Sequence, residues 1–349
     1  MTFVFRHLRP EQLREFGLVL VILLVVGFFA TQIPEFFSGR TLTRVSTSVA
    51  IVAVIAVGQT LVVLTRNIDL SVGSIVGVVA YVLGSYLEVN NALPIPIALA
   101  IATGLGAALG LINGLIVAYG RVPAIIATLG TLAIYRIVLV ELSGARTITA
   151  QRLPDWLVDL QGASVLEVAG FQLRVLFAVA LIVVVAFQLL LRFLPYGRRL
   201  YAIGSNPDAA TVAGLPVRRD VFVAFVLSGA LAGLAGFMFL ARFGNITVVA
   251  GQGLELQVVA AVVVGGVNIF GGAGSVVGAL LGAWLIDLLQ QSLIRWLEVS
   301  EFVRDAVLGL LILLAVASDA VILNRLRAVW ARRRPTEAVT ASQEVSGGA

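Results

Sequence analysis

A chain of 349 residues that is 60% hydrophobic and only 12% charged, with a mean hydropathy of +1.04, is too apolar for a soluble domain, where about a quarter of residues carry charge. The formal charge of +5 comes from 24 arginines against 19 acids, with no lysine and no cysteine. A G-x-x-x-x-G-K-[ST] phosphate loop is therefore excluded for want of its lysine, and disulfide or thiolate-metal chemistry for want of thiols. The single histidine, His7, lies in the polar N-terminal tail.

At about 20 residues per helical crossing, the length suits one polytopic domain of about ten spans. The tail 1–15 carries Arg6, His7, Arg9 and Arg14 and leads into a charge-free run at 16–33. No small-x-small cleavage site follows that run, so it is read as a retained signal anchor. Further spans are predicted at 45–65, 70–87, 93–119, 122–142, 175–191 and 221–241. Weaker ones at 256–270, 274–293 and 302–323 are short, interrupted by glycine or contain acids. The fold class is thus an all-α integral membrane protein, with its transmembrane domain at 16–323 and a basic tail at 324–349. The small, polar residues 341–349 are expected to be disordered. Ten crossings put both termini on one side. The tails, Arg66, Arg121, Arg192 and the central loop hold fifteen arginines against eight on the other side, which assigns the termini and that loop to the cytoplasm.

Glycines recur at four-residue spacing: Gly106, Gly110 and Gly114; Gly229 and Gly233; Gly274, Gly278 and Gly282. In lipid such rows let helix backbones approach closely, and they could also let helices slide. Ionisable residues inside spans are few. Arg136 has Glu141 five residues on, which suggests an ion pair or snorkelling, with substrate contact as the alternative; Asp287 and Asp319 lie near span ends, where headgroup exposure is the expectation. A proton-driven carrier would need midplane carboxylates, and their scarcity argues against one.

Residues 65–74 separate two apolar runs and place Asp69 and Ser71 where the next helix begins, so their oxygens can cap its amides. The same break could instead line a pore. Gln59, Asn113, Thr128, Thr131 and Asn268 lie within or beside spans; singly each suits interhelical hydrogen bonding, and together they suit a neutral polyol better than an ion. The central loop 196–220 reads as a short helix capped by Asn206, with Pro207 at its first position and Gly214 as its stop. Its exposed face is small and apolar, a shape fitted to a groove on another protein, or else it is a plain headgroup-bound connection.

Four ordered motifs carry a resemblance. They are the central loop, Asn67-Ile68-Asp69-Leu70-Ser71-Val72-Gly73-Ser74, the run from Pro123 to Thr131, and Gly265-Gly266-Val267-Asn268-Ile269-Phe270-Gly271-Gly272. Over about 45–316 the chain resembles the membrane permeases of sugar-type ABC importers (ribose, xylose, rhamnose and autoinducer-2 systems), and Thr65-Arg66-Asn67 makes it look closest to the rhamnose and autoinducer-2 members. The resemblance implies a type II importer-like permease in the bacterial inner membrane, paired with a second permease copy or paralogue. It also implies two cytoplasmic ABC ATPases and a periplasmic or lipid-anchored sugar-binding protein. It places Gly204, Asn206, Ala209, Ala210 and Gly214 in the ATPase-coupling loop, and makes Asn67, Asp69, Ser71, Asn113 and Asn268 candidates for the translocation path and gate. No cofactor, metal or catalytic residue is expected. The alternative is a stand-alone secondary transporter or facilitator; an intramembrane enzyme is disfavoured, since no nucleophile, base and orienting group occur together in a span.

Overall fold

Every residue from Val49 to Leu64 is buried, because this run has no charge and is apolar on all sides, as a helix enclosed by other helices must be. It forms most of α2 (Gly39–Leu64), the axis of the structure. The structure is a computed structural model that describes residues 10–33, 36, 38–168 and 170–297, with isolated positions at 306, 309, 310 and 313. Before α2 comes α1 (Pro10–Gln32); after it come α3 (Val72–Val89), α4 (Ile95–Gly114, extended by a wide π turn over Leu115–Tyr119), α5 (Ala124–Ser143) and the short α6 (Asp155–Gly162). A hairpin of β1 (Ser164–Val168) and β2 (Phe171–Arg174) leads into α7 (Val175–Phe193), α8 (Pro195–Ser205), α9 (Pro207–Val212), α10 (Val217–Phe243), α11 (Leu254–Val264) and α12 (Val276–Leu297).

Eight of the described helices are long and apolar enough to cross a membrane. They match the predicted spans from 16–33 to 221–241 and at 274–293. The expected eighth crossing, 256–270, is corrected: α11 has 11 residues, about half the length a bilayer needs, and it stops at Gly265, whose backbone turns into a loop. The expected tenth, 302–323, lies outside the described residues, as do Asp319 and the C-terminal tail. The stretch between α5 and α7 holds the hairpin, for which no strand was anticipated. Its antiparallel register pairs Leu166 with Leu173 and Val168 with Phe171, and Gln172 donates its backbone N–H to Thr43 Oγ1 at 2.8 Å.

The bundle has two distinct ends. At the hairpin end, Ile148 pairs with Ile246, Arg146 meets Glu88 at 3.1 Å and Trp296 packs edge-on against Phe29. At the opposite end, Tyr201 donates to the Gly274 carbonyl at 2.8 Å and Gly272 N–H to the Leu64 carbonyl at 3.1 Å. Between the ends α4 and α10 lie in backbone contact. A Cβ on Gly106 would strike the Gly229 carbonyl, and one on Gly229 the Gly106 carbonyl. Gly278 and Gly282 meet the α11 end in the same way, at Gly265 and Ala261. Close packing is therefore what the glycine rows provide. Gly274 is the exception, sitting before α12 at φ +136°.

Candidate functional site

The chain breaks between α2 and α3 because Arg66 turns left-handed, at φ +67°, and ends the α2 ladder. Asn67 then closes that helix end, its amide donating to the Thr65 carbonyl and to Thr65 Oγ1, both at 3.0 Å. Asp69 is fully buried. Its Oδ1 accepts from the Ser71 N–H at 3.0 Å and from the Ser71 hydroxyl at 2.7 Å. Asn113, from α4, donates to that same hydroxyl oxygen at 2.7 Å. Gln59 faces the Asp69 backbone, and with its amide oriented to match that backbone it donates to the carbonyl at 3.1 Å and accepts from the N–H at 3.2 Å. Thr128 reaches the Ile68 carbonyl at 3.2 Å, whereas Thr131 bonds back to Thr128 within its own helix.

Four of the five path candidates therefore lie in or against one break, and three of them, Asp69, Ser71 and Asn113, form a buried chain of hydrogen bonds. The capping expectation is corrected in part. Asp69 caps a single amide, that of Ser71, while Ser71 stands at the start of α3 and its side chain caps none. Asp69 Oδ2 and Asn113 Oδ1 are buried without a hydrogen-bond partner among the described residues. Asn268 is elsewhere, half-buried in the loop after α11, where its Oδ1 accepts from the Phe270 N–H at 2.9 Å.

The α8–α9 platform is assembled as its residues dictate. Asn206 Oδ1 accepts from Asp208 N–H and Ala209 N–H at 3.1 and 3.0 Å, Pro207 opens α9, and Gly214 turns away at φ +77°. Asn206, Ala209 and Gly214 are exposed, and so is Val212, at 90%. Gly204 and Ala210 face inward instead, Ala210 being 5% exposed. A Cβ on Gly204 would run into the Leu64 carbonyl and the Gly272 amide. Two ties hold the platform to the bundle. Arg66 donates from Nε to the Gly204 carbonyl at 2.6 Å and from Nη2 to the Ser205 carbonyl at 2.7 Å. Arg199 grips both oxygens of Asp220, at 2.6 and 3.2 Å, a fork-shaped pairing that fixes orientation as well as distance. The hydrogen bond to Asp220 holds the Arg199 guanidinium above its usual range. Burial, with Asp220 adding to it, pushes the neighbouring Tyr196 phenol up.

Two charge assignments change. Arg136 does not pair with Glu141; it donates to the Ala250 carbonyl at 2.7 Å, because α5 presents it to the non-helical segment 244–253. Asp287 is not at a headgroup but 4% exposed near the middle of α12, where Ser48 donates to its Oδ1 at 2.7 Å and Gln291 to its Oδ2. Sequence reasoning missed the surroundings of Asp287. The available signal was the run Asp287, Gln290 and Gln291, polar at helical spacing within an apolar helix. Among the described residues no group of acids, histidines or cysteines is arranged to hold a metal.

The sequence profile of the family described as branched-chain amino acid transport system, permease component, matches residues 41–316. The chain is 37% identical over 320 residues to the autoinducer 2 import system permease protein LsrC of Escherichia coli O157:H7, covering 90% of each chain. It is 38% identical over 306 residues to LsrC of Escherichia coli K12, covering 87% of this chain and 85% of that one. With LsrC of Photorhabdus luminescens it shares 35% identity over 308 residues, 88% of this chain and 89% of the other. No solved structure matches the chain.

Proposed function

The chain belongs to the branched-chain amino acid transport system permease family, within its sugar-type ABC importers, and from that premise we propose that it translocates a monosaccharide or related small polyol, autoinducer 2 foremost, across a bacterial inner membrane. A separate cytoplasmic ATPase supplies the energy. A second permease subunit completes the path, and a periplasmic or lipid-anchored binding protein delivers the solute. The alignment with LsrC over nine-tenths of both chains supports autoinducer 2 ahead of rhamnose or ribose-like sugars.

The single observation that carries the energetics is the α8–α9 platform, with Ala209 and Val212 presented outward on a short capped helix and Arg66, Arg199 and Asp220 anchoring it to α2 and α10. A partner seated on α9 moves the ends of two bundle helices through those ties, which is the differential contact a two-state gate requires. Arg192, Arg198, Arg199, Arg218 and Arg219 crowd this end between α7 and the first turn of α10, so it is assigned to the cytoplasm. The Asn67, Asp69, Ser71 and Asn113 break lies directly behind the platform and is the element whose rearrangement would open the path.

The decisive experiment is uptake of labelled autoinducer 2 and L-rhamnose in proteoliposomes, with and without the ATPase and binding protein. Strict dependence on ATP and the ATPase is expected; accumulation by the permease alone would establish the secondary-transporter alternative. In the same system Ala209→Asp and Val212→Asp, both at exposed positions, should abolish ATPase pull-down with the permease still in the membrane. Undiminished uptake by both variants would overturn the docking assignment.

A further inference from the structure

Between α2, α10, α11 and α12 lies a cavity of about 390 Å³, within the ~300–1,000 Å³ span of small-molecule sites. Its polar lining consists of Ser48, Arg242, Gln252, Gln257, Asp287, Gln290 and Gln291, and its apolar lining includes Phe239 and Phe243. Three of these polar residues are almost wholly enclosed: Gln257 at 3%, Asp287 at 4% and Gln290 at 4% exposed. Gln257 donates to Gln290 Oε1 at 3.3 Å, yet the Gln290 amide nitrogen is buried with no hydrogen-bond partner among the described residues. A buried amide donor left without an acceptor is unfavourable, and a ligand hydroxyl on the cavity side would satisfy it.

The backbone on one side of the cavity is irregular. Residues 244–253 run without helix between α10 and α11, with Gly251 and Gly253 at φ +74° and +84°. Non-helical backbone at membrane depth persists only where protein or a polar cavity covers it. A second cavity, of about 1120 Å³, opens at the hairpin end and is lined by Arg40, Arg44, Gln172 and Arg174. Arg242 lines both spaces. Its Nη1 donates to the Thr47 and Ser48 carbonyls at 3.1 and 3.2 Å, which fixes the guanidinium on the wall that the two spaces share.

We propose that this inner cavity is a solute-binding chamber within a single subunit, taking a neutral, polyhydroxylated solute of monosaccharide size, with the larger cavity as its vestibule and Arg242 at the threshold. The inference rests on the transport reading above and adds a site to it. One arginine and one aspartate leave the chamber without net charge, which disfavours an anion. Four carboxamides supply donors and acceptors to hydroxyls, and the two phenylalanines offer faces for C–H surface.

The absence of cysteine makes the test direct. Gln291→Cys in the chamber wall and Asn91→Cys, at an exposed position in the turn between α3 and α4, are placed separately in the assembled transporter. Each is treated with a water-soluble methanethiosulfonate. Gln291→Cys should react, and whichever of autoinducer 2, L-rhamnose, D-ribose and D-xylose the wild type carries should slow that reaction, with sodium gluconate giving no protection; Asn91→Cys should react at a rate that none of them changes. Gln290→Ala should raise KM for uptake about tenfold, the loss of roughly one hydrogen bond. An unreactive Gln291→Cys, or one that the transported solute does not protect, in a transporter that still shows ATP-driven uptake overturns the chamber and leaves the transport reading standing. Absence of ATP-driven uptake in the wild-type assembly overturns the transport reading instead, whatever the thiol does.

Discussion

Gly204 has no room for a side chain, since the Leu64 carbonyl and the Gly272 amide occupy the space where a Cβ would go. Gly204→Ala should therefore lift the platform from the end of α2, lowering the melting temperature in detergent by the equivalent of about 1–3 kcal/mol and weakening ATPase pull-down together with it. Asp69 makes a different demand. Replaced by Ala, it leaves the Ser71 amide and hydroxyl without their acceptor in a fully buried place, a loss of about 2 kcal/mol or more. Asp69→Asn keeps an oxygen at that position and should lose less than half as much. Equal melting temperatures for the two variants would mean that Asp69 does not hold the break by hydrogen bonding. The sequence placed Asp69 and Ser71 at a helix start, but it could not say that Asn113, 42 positions further along, closes the same network. That pairing depends on how α4 packs.

At the scale of the element, the start and stop of α9 were readable, since Asn206, Pro207 and Gly214 are local signals whose physics needs no neighbour. Asn206→Ala removes an acceptor for two amide donors and should cost about 1 kcal/mol of local helix stability. Hydrogen exchange should consequently quicken across 207–213 and stay unchanged in α10. Which face of α9 points outward was not readable. Ala209 and Ala210 are adjacent and alike in sequence, yet one is exposed and the other buried, because only the contact with the bundle distinguishes them. The Gly106 and Gly229 pair makes the same point for helix packing. Either glycine announces a close approach, and the partner is fixed only when α4 and α10 meet. Gly229→Leu should force those helices apart and give aggregated protein on size exclusion, whereas Gly104→Leu, with open space around Gly104, should run as wild type.

For the whole molecule, the assignment of the two ends rests on the arginines and is testable because the chain lacks thiols. Asn91→Cys at the hairpin end should label with an impermeant maleimide on intact spheroplasts, and Ala209→Cys only after permeabilisation; the reverse pattern would invert the topology. Composition alone determined that the protein lives in a bilayer, and hydrophobic length located eight crossings, since burial in lipid is decided residue by residue along a helix. It misjudged 256–270, because an apolar run reads the same whether it spans the membrane or, like α11, forms 11 residues of helix and stops at Gly265. The surroundings of Asp287, Gln257 and Gln290 were decided only by tertiary structure: their meeting depends on α11 packing against α12, and periodicity within one helix carries no information about what faces it. The sequence thus determined the solvent, the helices and their caps, while long-range packing decided which polar groups share a cavity and which remain unpartnered.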